Sequence, residues 1–213
     1  MNTTTLKNNK QRVKEIIEIL EKLYPNPKCA LIYKKPWELL FAVILSAQCT
    51  DKKVNEVTEK LFKKYASLED YINAKPYEFE KDIYSTGFYK AKTKNILAAA
   101  KALKERYNGA IPKTMRDMIL IPGVGRKTAN VVLGELYNTA EGIAVDTHVM
   151  RLSYLLGLTR HKDDPIKIEK DLMKIIPQND WVRFSHMLIL YGREYCPARH
   201  KHTDCPLFNF LLK

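Results

Sequence analysis

The chain has 213 residues, enough for one large domain or two small ones, and its 46% hydrophobic and 28% charged residues exclude fibrous and disordered classes. The longest apolar run, LLFAVIL at 39–45, is too short for a bilayer, and the polar start MNTTTLKNNK carries no export signal. No membrane association and an intracellular location (cytoplasm or nucleoid in a prokaryote) are therefore expected. A formal net charge of +12, with pI near 9.4, calls for an acidic partner. Residues 90–127 concentrate it, with ten Lys or Arg against Glu105 and Asp117. Nucleic acid fits such a block through phosphate neutralisation and counterion release; the plainer alternative is a solvated basic face.

Helical periodicity runs along the whole chain. Val13, Ile16, Ile17, Leu20 and Leu23 form the stripe of a first helix. PWELLFAVILSAQ (36–48) opens with proline and is apolar nearly all round, which predicts a buried central helix. Val54, Val57, Leu61, Phe62 and Tyr65 mark a third helix, Ser67 caps a short fourth, and Pro76 opens a fifth running toward Tyr84. A long helix over about 90–107 ends at Asn108-Gly109. Thr114 caps MRDMIL; a tight turn at Pro122–Gly125 leads into a helix to about Tyr137. Beyond IAVDTH come a helix ending near Gly157, one opened by Asp164-Pro165, and a last from about Asp180 to Tyr191. No strand alternation is visible, so the expected class is all-α.

The stretch IPGVGRKTANVVL (121–133) places two glycines just before a helix and a lysine, Lys127, in its first turn. Gly123 and Gly125 permit backbone conformations closed to other residues and close approach to a ligand. The unpaired N–H groups of the following first turn, with Arg126 and Thr128, suit a phosphate, which positions DNA without reading its sequence. A helix start usually favours carboxylates. An amine there makes sense as a nucleophile: it attacks only when unprotonated, and the helix field, adjacent Arg126 and partial burial would all lower its pKa from about 10.4.

LIPGVGRKTANVVL followed by VDTHVMRL resembles the helix-hairpin-helix and catalytic loop of the endonuclease III family of DNA glycosylases. LSAQCTD (45–51), TGFYKAK (86–92) and GREYC (192–196) resemble further segments of that family in the same order, so the likeness spans roughly residues 30–206. The resemblance implies that Lys127 is the nucleophile that attacks the sugar C1′, displaces the base and forms a Schiff base, and that Asp146 is its catalytic partner. Read from the residues alone, Lys127 is equally a phosphate contact and Asp146 an N-cap for the helix near His148, and Asp146 can both cap and catalyse. The damaged base must leave the stack. The resemblance assigns gap-filling to Gln48 and an apolar wedge to Phe88, for which packing under its loop is the alternative. Ser46 and Asp51 are candidate pocket residues, Asp51 with the alternative of capping the next helix, and His148 is a candidate DNA contact.

The family's relatives often carry a [4Fe–4S] cluster on C-x6-C-x2-C-x5-C. Here Cys196 and Cys205 take the first and third places once one residue is deleted, His202 falls at the second and Leu211 at the fourth, so no cluster is expected. The same segment can be read as a zinc set, Cys196, His200, His202 and Cys205, against a metal-free loop held by packing. Cys29 and Cys49 read as small buried residues. A structural cation on the carbonyls of Ile119, Ile121 and Val124 is a further implication of the resemblance; no cofactor is required.

The expected architecture is two helical lobes with a DNA-binding cleft between them. Residues 29–138 would form a multi-helix bundle ending in the helix-hairpin-helix (about 115–137), and residues 1–28 plus 139–213 the second lobe. The expected function is a monomeric, bifunctional DNA glycosylase/AP lyase that excises oxidised pyrimidines from damaged double-stranded DNA. Alternatives are a monofunctional adenine or mismatch glycosylase, against which Lys127 and Gln48 argue, and a non-catalytic helix-hairpin-helix DNA-binding protein.

Overall fold

The computed structural model describes residues 3–139, 141–198 and 205–211. Among them every regular element is a helix, as the periodicity predicts. The chain divides into two compact units, one comprising Cys29–Thr139 and the other the segments up to Lys28 and after Thr139.

In the first unit α2 (Pro36–Leu45) is the central element; α1 (Thr3–Leu23) belongs to the other unit. Every side chain from Trp37 to Leu45 is buried, each large apolar one stabilising by about 1.5–3 kcal/mol. Glu38 is tolerated there because its Oε2 accepts from the N–H groups of Lys34 and Lys35 at 2.6 and 3.0 Å. Around it lie α3 (Asp51–Lys64), α4 (Leu68–Ile72), α5 (Pro76–Ile83), α6 (Tyr89–Tyr107), α7 (Met115–Met118) and α8 (Arg126–Tyr137). An aromatic knot joins α2 to α4, with Phe41 and Tyr71 centroids 4.8 Å apart and Trp37 and Tyr71 5.5 Å apart. The end of the central helix differs from the sequence reading. The central helix stops at Leu45 rather than Gln48, because Ser46–Gln48 turn and Gln48 enters the left-handed region. The fifth helix passes into a 3₁₀ turn at Tyr84–Thr86. Cys29 and Cys49 are half-buried at the edge of this core, not buried, since both lie on connecting segments.

The second unit contains α1 (Thr3–Leu23), α9 (Thr147–Leu155), α10 (Pro165–Ile175) and α11 (Trp181–Glu194). The stripe Val13, Ile16, Ile17 and Leu20 is buried with Leu152, Leu172, Phe184 and Leu188. Cys196, Cys205 and Leu207 complete the same core.

Candidate active site and nucleic-acid interface

The hairpin is assembled by local chemistry. Thr114 caps α7 by accepting from the Asp117 N–H at 3.2 Å. The chain then turns with Val124 N–H bonded to Ile121 C=O at 3.1 Å. Gly123 has φ +78°, and a Cβ there would stand 2.7 Å from Asn95 Cβ of α6; glycine is required twice over. Gly125 is the N-cap of α8 and supplies no side-chain cap. The first intrahelical bond is that of Ala129 N–H to Gly125 C=O, so the N–H groups of Arg126, Lys127 and Thr128 are not used by the helix. A Cβ on Gly125 would meet nothing within 4 Å, so the approach to those groups is open.

Arg126 and Lys127 are exposed and Thr128 is half-buried. The exposure of Lys127 corrects the expectation of partial burial: as the second residue of α8, its side chain leaves the open end of the helix. The carbonyls of Ile119 and Val124 accept no backbone hydrogen bond among the described residues, and that of Ile121 accepts one.

In the other unit Asp146 is the N-cap of α9, its Oδ1 accepting from Val149 N–H at 2.8 Å. That leaves Oδ2 outside the cap. Its capping role is therefore real, and the helix begins at Thr147. His148 is half-buried in the first turn, where a Cβ on Gly192 would come 2.7 Å from its Nδ1; Gly192 makes room for the ring.

Two exposed turns of the first unit carry the remaining candidates. Gln48 has φ +53° and Phe88 φ +49°, both left-handed without being glycine. Phe88 is 71% exposed, which overturns packing beneath its loop as the alternative to the wedge. Ser46 donates its hydroxyl to Val43 C=O at 2.8 Å. Asp51 is half-buried and is not the cap of α3: Thr50 takes that place, accepting from Lys53 N–H at 3.3 Å.

Sequence reasoning overlooked Lys92. It is 4% exposed, and its ammonium donates to Leu45 C=O and Thr86 C=O, both at 2.8 Å. Burial pulls its pKa below the usual lysine value. The signal was present in the sequence: Lys92 falls on the same helical stripe as Ile96, Ala99 and Leu103, all buried.

Cys196 is buried, and Arg151 holds it through a donor to its carbonyl at 2.5 Å and another 3.6 Å from Sγ. Burial pushes the Cys196 thiol up. Cys205 is buried in the same core, whereas His200 and His202 of the zinc set lie outside the described residues. Among the described residues no cluster of His, Cys, Asp and Glu has metal-ligating geometry. No helix among them is long and apolar enough to cross a membrane.

Residues 41–178 match the family model of the HhH-GPD superfamily base excision DNA repair proteins. Endonuclease III of Synechocystis is 50% identical over 190 residues, covering 89% of this chain and 86% of the relative. The chain belongs to the endonuclease III family. Two solved endonuclease III structures superpose on it with a TM-score of 0.90 at 42% identity, covering 99% of this chain and 96% of each of theirs. One is a non-covalent endonuclease III–DNA complex, the other a trapped endonuclease III–DNA covalent intermediate with an estranged adenine. For an endonuclease III, the open helix end with an exposed lysine is the feature of the hairpin that asks for a chemical account.

Proposed function

We propose that this protein is an intracellular, monomeric, bifunctional DNA glycosylase/AP lyase of base excision repair, acting on oxidised pyrimidines in duplex DNA. The observation that carries the reading is Lys127, an exposed amine in the uncapped first turn of α8, in a chain 42% identical to an endonuclease III trapped covalently on DNA.

The N–H groups at the start of α8 and Arg126 hold a backbone phosphate. Gln48 and Phe88 enter the duplex once the damaged nucleotide is extruded, one filling the gap and one wedging the stack. The sugar then covers Lys127 and excludes water from around its amine. Lys127 Nζ bonds to C1′ as the C1′–N bond breaks; the departing base keeps the electron pair and takes up a proton. Loss of a proton from nitrogen and opening of the sugar ring give the Schiff base. Removal of a C2′ proton then expels the 3′ phosphate, and water releases the enzyme. Asp146 Oδ2, outside the helix cap, stabilises positive charge on the sugar and serves proton transfer. Ser46 and Asp51 line the base pocket, and His148 contacts DNA.

The carbonyls of Ile119, Ile121 and Val124 at the hairpin turn, of which that of Ile121 also accepts the Val124 N–H, would hold a cation, which would supply positive charge for a phosphate and no chemistry to the reacting bonds. A [4Fe–4S] cluster does not fit the donor set. Cys196 and Cys205 are the only cysteines of their unit, Leu211 offers no donor, and such a cluster wants four thiolates.

Incubation with a duplex carrying one thymine glycol, followed by borohydride, tests the reading. A covalent complex with the wild type and none with Lys127→Ala is expected. Tight binding without trapping on either thymine glycol or abasic duplex would leave a monofunctional glycosylase or a non-catalytic DNA-binding protein.

A further inference from the structure

The turns that carry Gln48 and Phe88 lie far apart in sequence, yet each starts from a carbonyl held by the same buried side chain. Leu45, three residues before Gln48, is the last residue of α2. Thr86, two residues before Phe88, ends the 3₁₀ turn that precedes α6. Lys92 Nζ is 2.8 Å from both carbonyl oxygens, which are thus within twice that distance of each other. Both turns hold a non-glycine residue at positive φ, a conformation costing about 1–3 kcal/mol that persists only where surrounding contacts enforce it. We infer that Lys92 is a positioning residue that fixes the spacing of the two turns, so that Gln48 and Phe88 enter the duplex as a pair. The inference rests on the glycosylase reading and on the roles assigned there to those two side chains.

Lysine suits this task for a definite reason. Two carbonyls need two N–H donors from one atom, at the end of an arm long enough to cross from α6 to α2. The amine keeps two N–H groups even without its extra proton, so the clamp survives a lowered pKa in a buried site. A methionine of similar length would fill the volume and leave both carbonyls without that donor.

The test compares two substrates. A duplex with one thymine glycol requires extrusion and gap-filling; a single-stranded oligonucleotide with one abasic site requires only Schiff-base formation and elimination. In Lys92→Met the ratio of the duplex rate to the single-strand rate is expected to fall at least about tenfold, or 1.4 kcal/mol of transition-state stabilisation. Lys92→Gln, which keeps two N–H donors on a shorter arm, carries the same test with a smaller fall if Lys92→Met does not fold. Placed on a Gln48→Ala/Phe88→Ala background, either substitution should lower that ratio by no more than about twofold, because the pair it aligns is gone. Equal loss on both substrates, no loss on either, or a full loss on the doubly substituted background would overturn the inference. Failure of the wild type to form a borohydride-trapped complex on any substrate would instead overturn the bifunctional glycosylase/AP lyase reading itself.

Discussion

A Cβ placed on Gly123 would lie 2.7 Å from Cβ of Asn95, so the hairpin turn rests directly on the side of α6. Gly123 also has φ +78°, whereas Gly125, two residues on, has φ −91° and open space around it. The two glycines of one motif therefore do different work, and alanine separates them. Gly123→Ala is expected to cost about 1–3 kcal/mol of stability, read as a lower thermal midpoint. Gly125→Ala should cost about 1 kcal/mol or less, yet weaken duplex affinity by about tenfold in a binding titration, because its Cβ occupies the path of the phosphate. Equal effects on stability from the two would contradict this division.

Asp146 is a cap by geometry and a catalytic group by proposal, and asparagine distinguishes the two. Asn caps a helix as well as Asp, so Asp146→Asn should keep the midpoint while the single-turnover rate on a thymine glycol duplex falls by about 10²–10⁴. Asp146→Ala should show the same rate loss and a further stability cost of about 1 kcal/mol. Full activity in Asp146→Asn would reduce the residue to its cap.

The parts of this molecule written in local chemistry were legible in the sequence. The stripe on α1, the all-round apolar α2, and the caps Ser67, Thr114 and Asp164 each follow from spacing or from one side chain reaching its own helix. What depends on contacts between distant segments was not. The end of α2 is set by a turn in which Gln48 adopts positive φ, and nothing in SAQCT announces this. Thr50 took the capping role offered to Asp51, since either side chain suits an N-cap and only the backbone decides which residue comes first. Lys92 was passed over as one more charge in a basic block, although its register on the stripe of α6 marked it as buried. The candidate site divides in the same way: the hairpin reads locally, but the clamp between the Gln48 and Phe88 turns is a tertiary fact.

The alkaline limb of stability has an identifiable contributor. Tyr33 donates to Glu135 Oε1 of α8 at 3.2 Å, and burial, followed by the charge and hydrogen bond of Glu135, pushes its phenol up to about 12. The unfolded phenol titrates near 10. The folded state thus holds a proton that the unfolded chain releases, and this contribution is complete below about pH 10 and gone as pH rises through about 12. Urea unfolding at pH 9 and pH 11.5 should show Tyr33→Phe losing less stability between the two pH values than the wild type. A parallel decline in both proteins would remove Tyr33 from the account.

The C-terminal segment, where a cluster would otherwise sit, is held by side chains from other parts of its own unit. Arg12 of α1 donates through Nε to Leu156 C=O at 2.8 Å, bonds the Phe210 carbonyl through its guanidinium, and stands 5.7 Å from the centroid of the Phe210 ring. Tyr191 accepts from Leu207 N–H at 3.1 Å. If packing rather than metal secures this end, purified protein should carry no stoichiometric iron or zinc, and a chelator should leave its thermal midpoint unchanged. Arg12→Ala should lower that midpoint, at a cost of about 1–3 kcal/mol, because it removes both donors and the cation from the ring face. Stoichiometric iron would refute the reading of the donor set. Stoichiometric zinc that leaves together with stability on chelation would instead assign the segment to a metal site that includes Cys196 and Cys205.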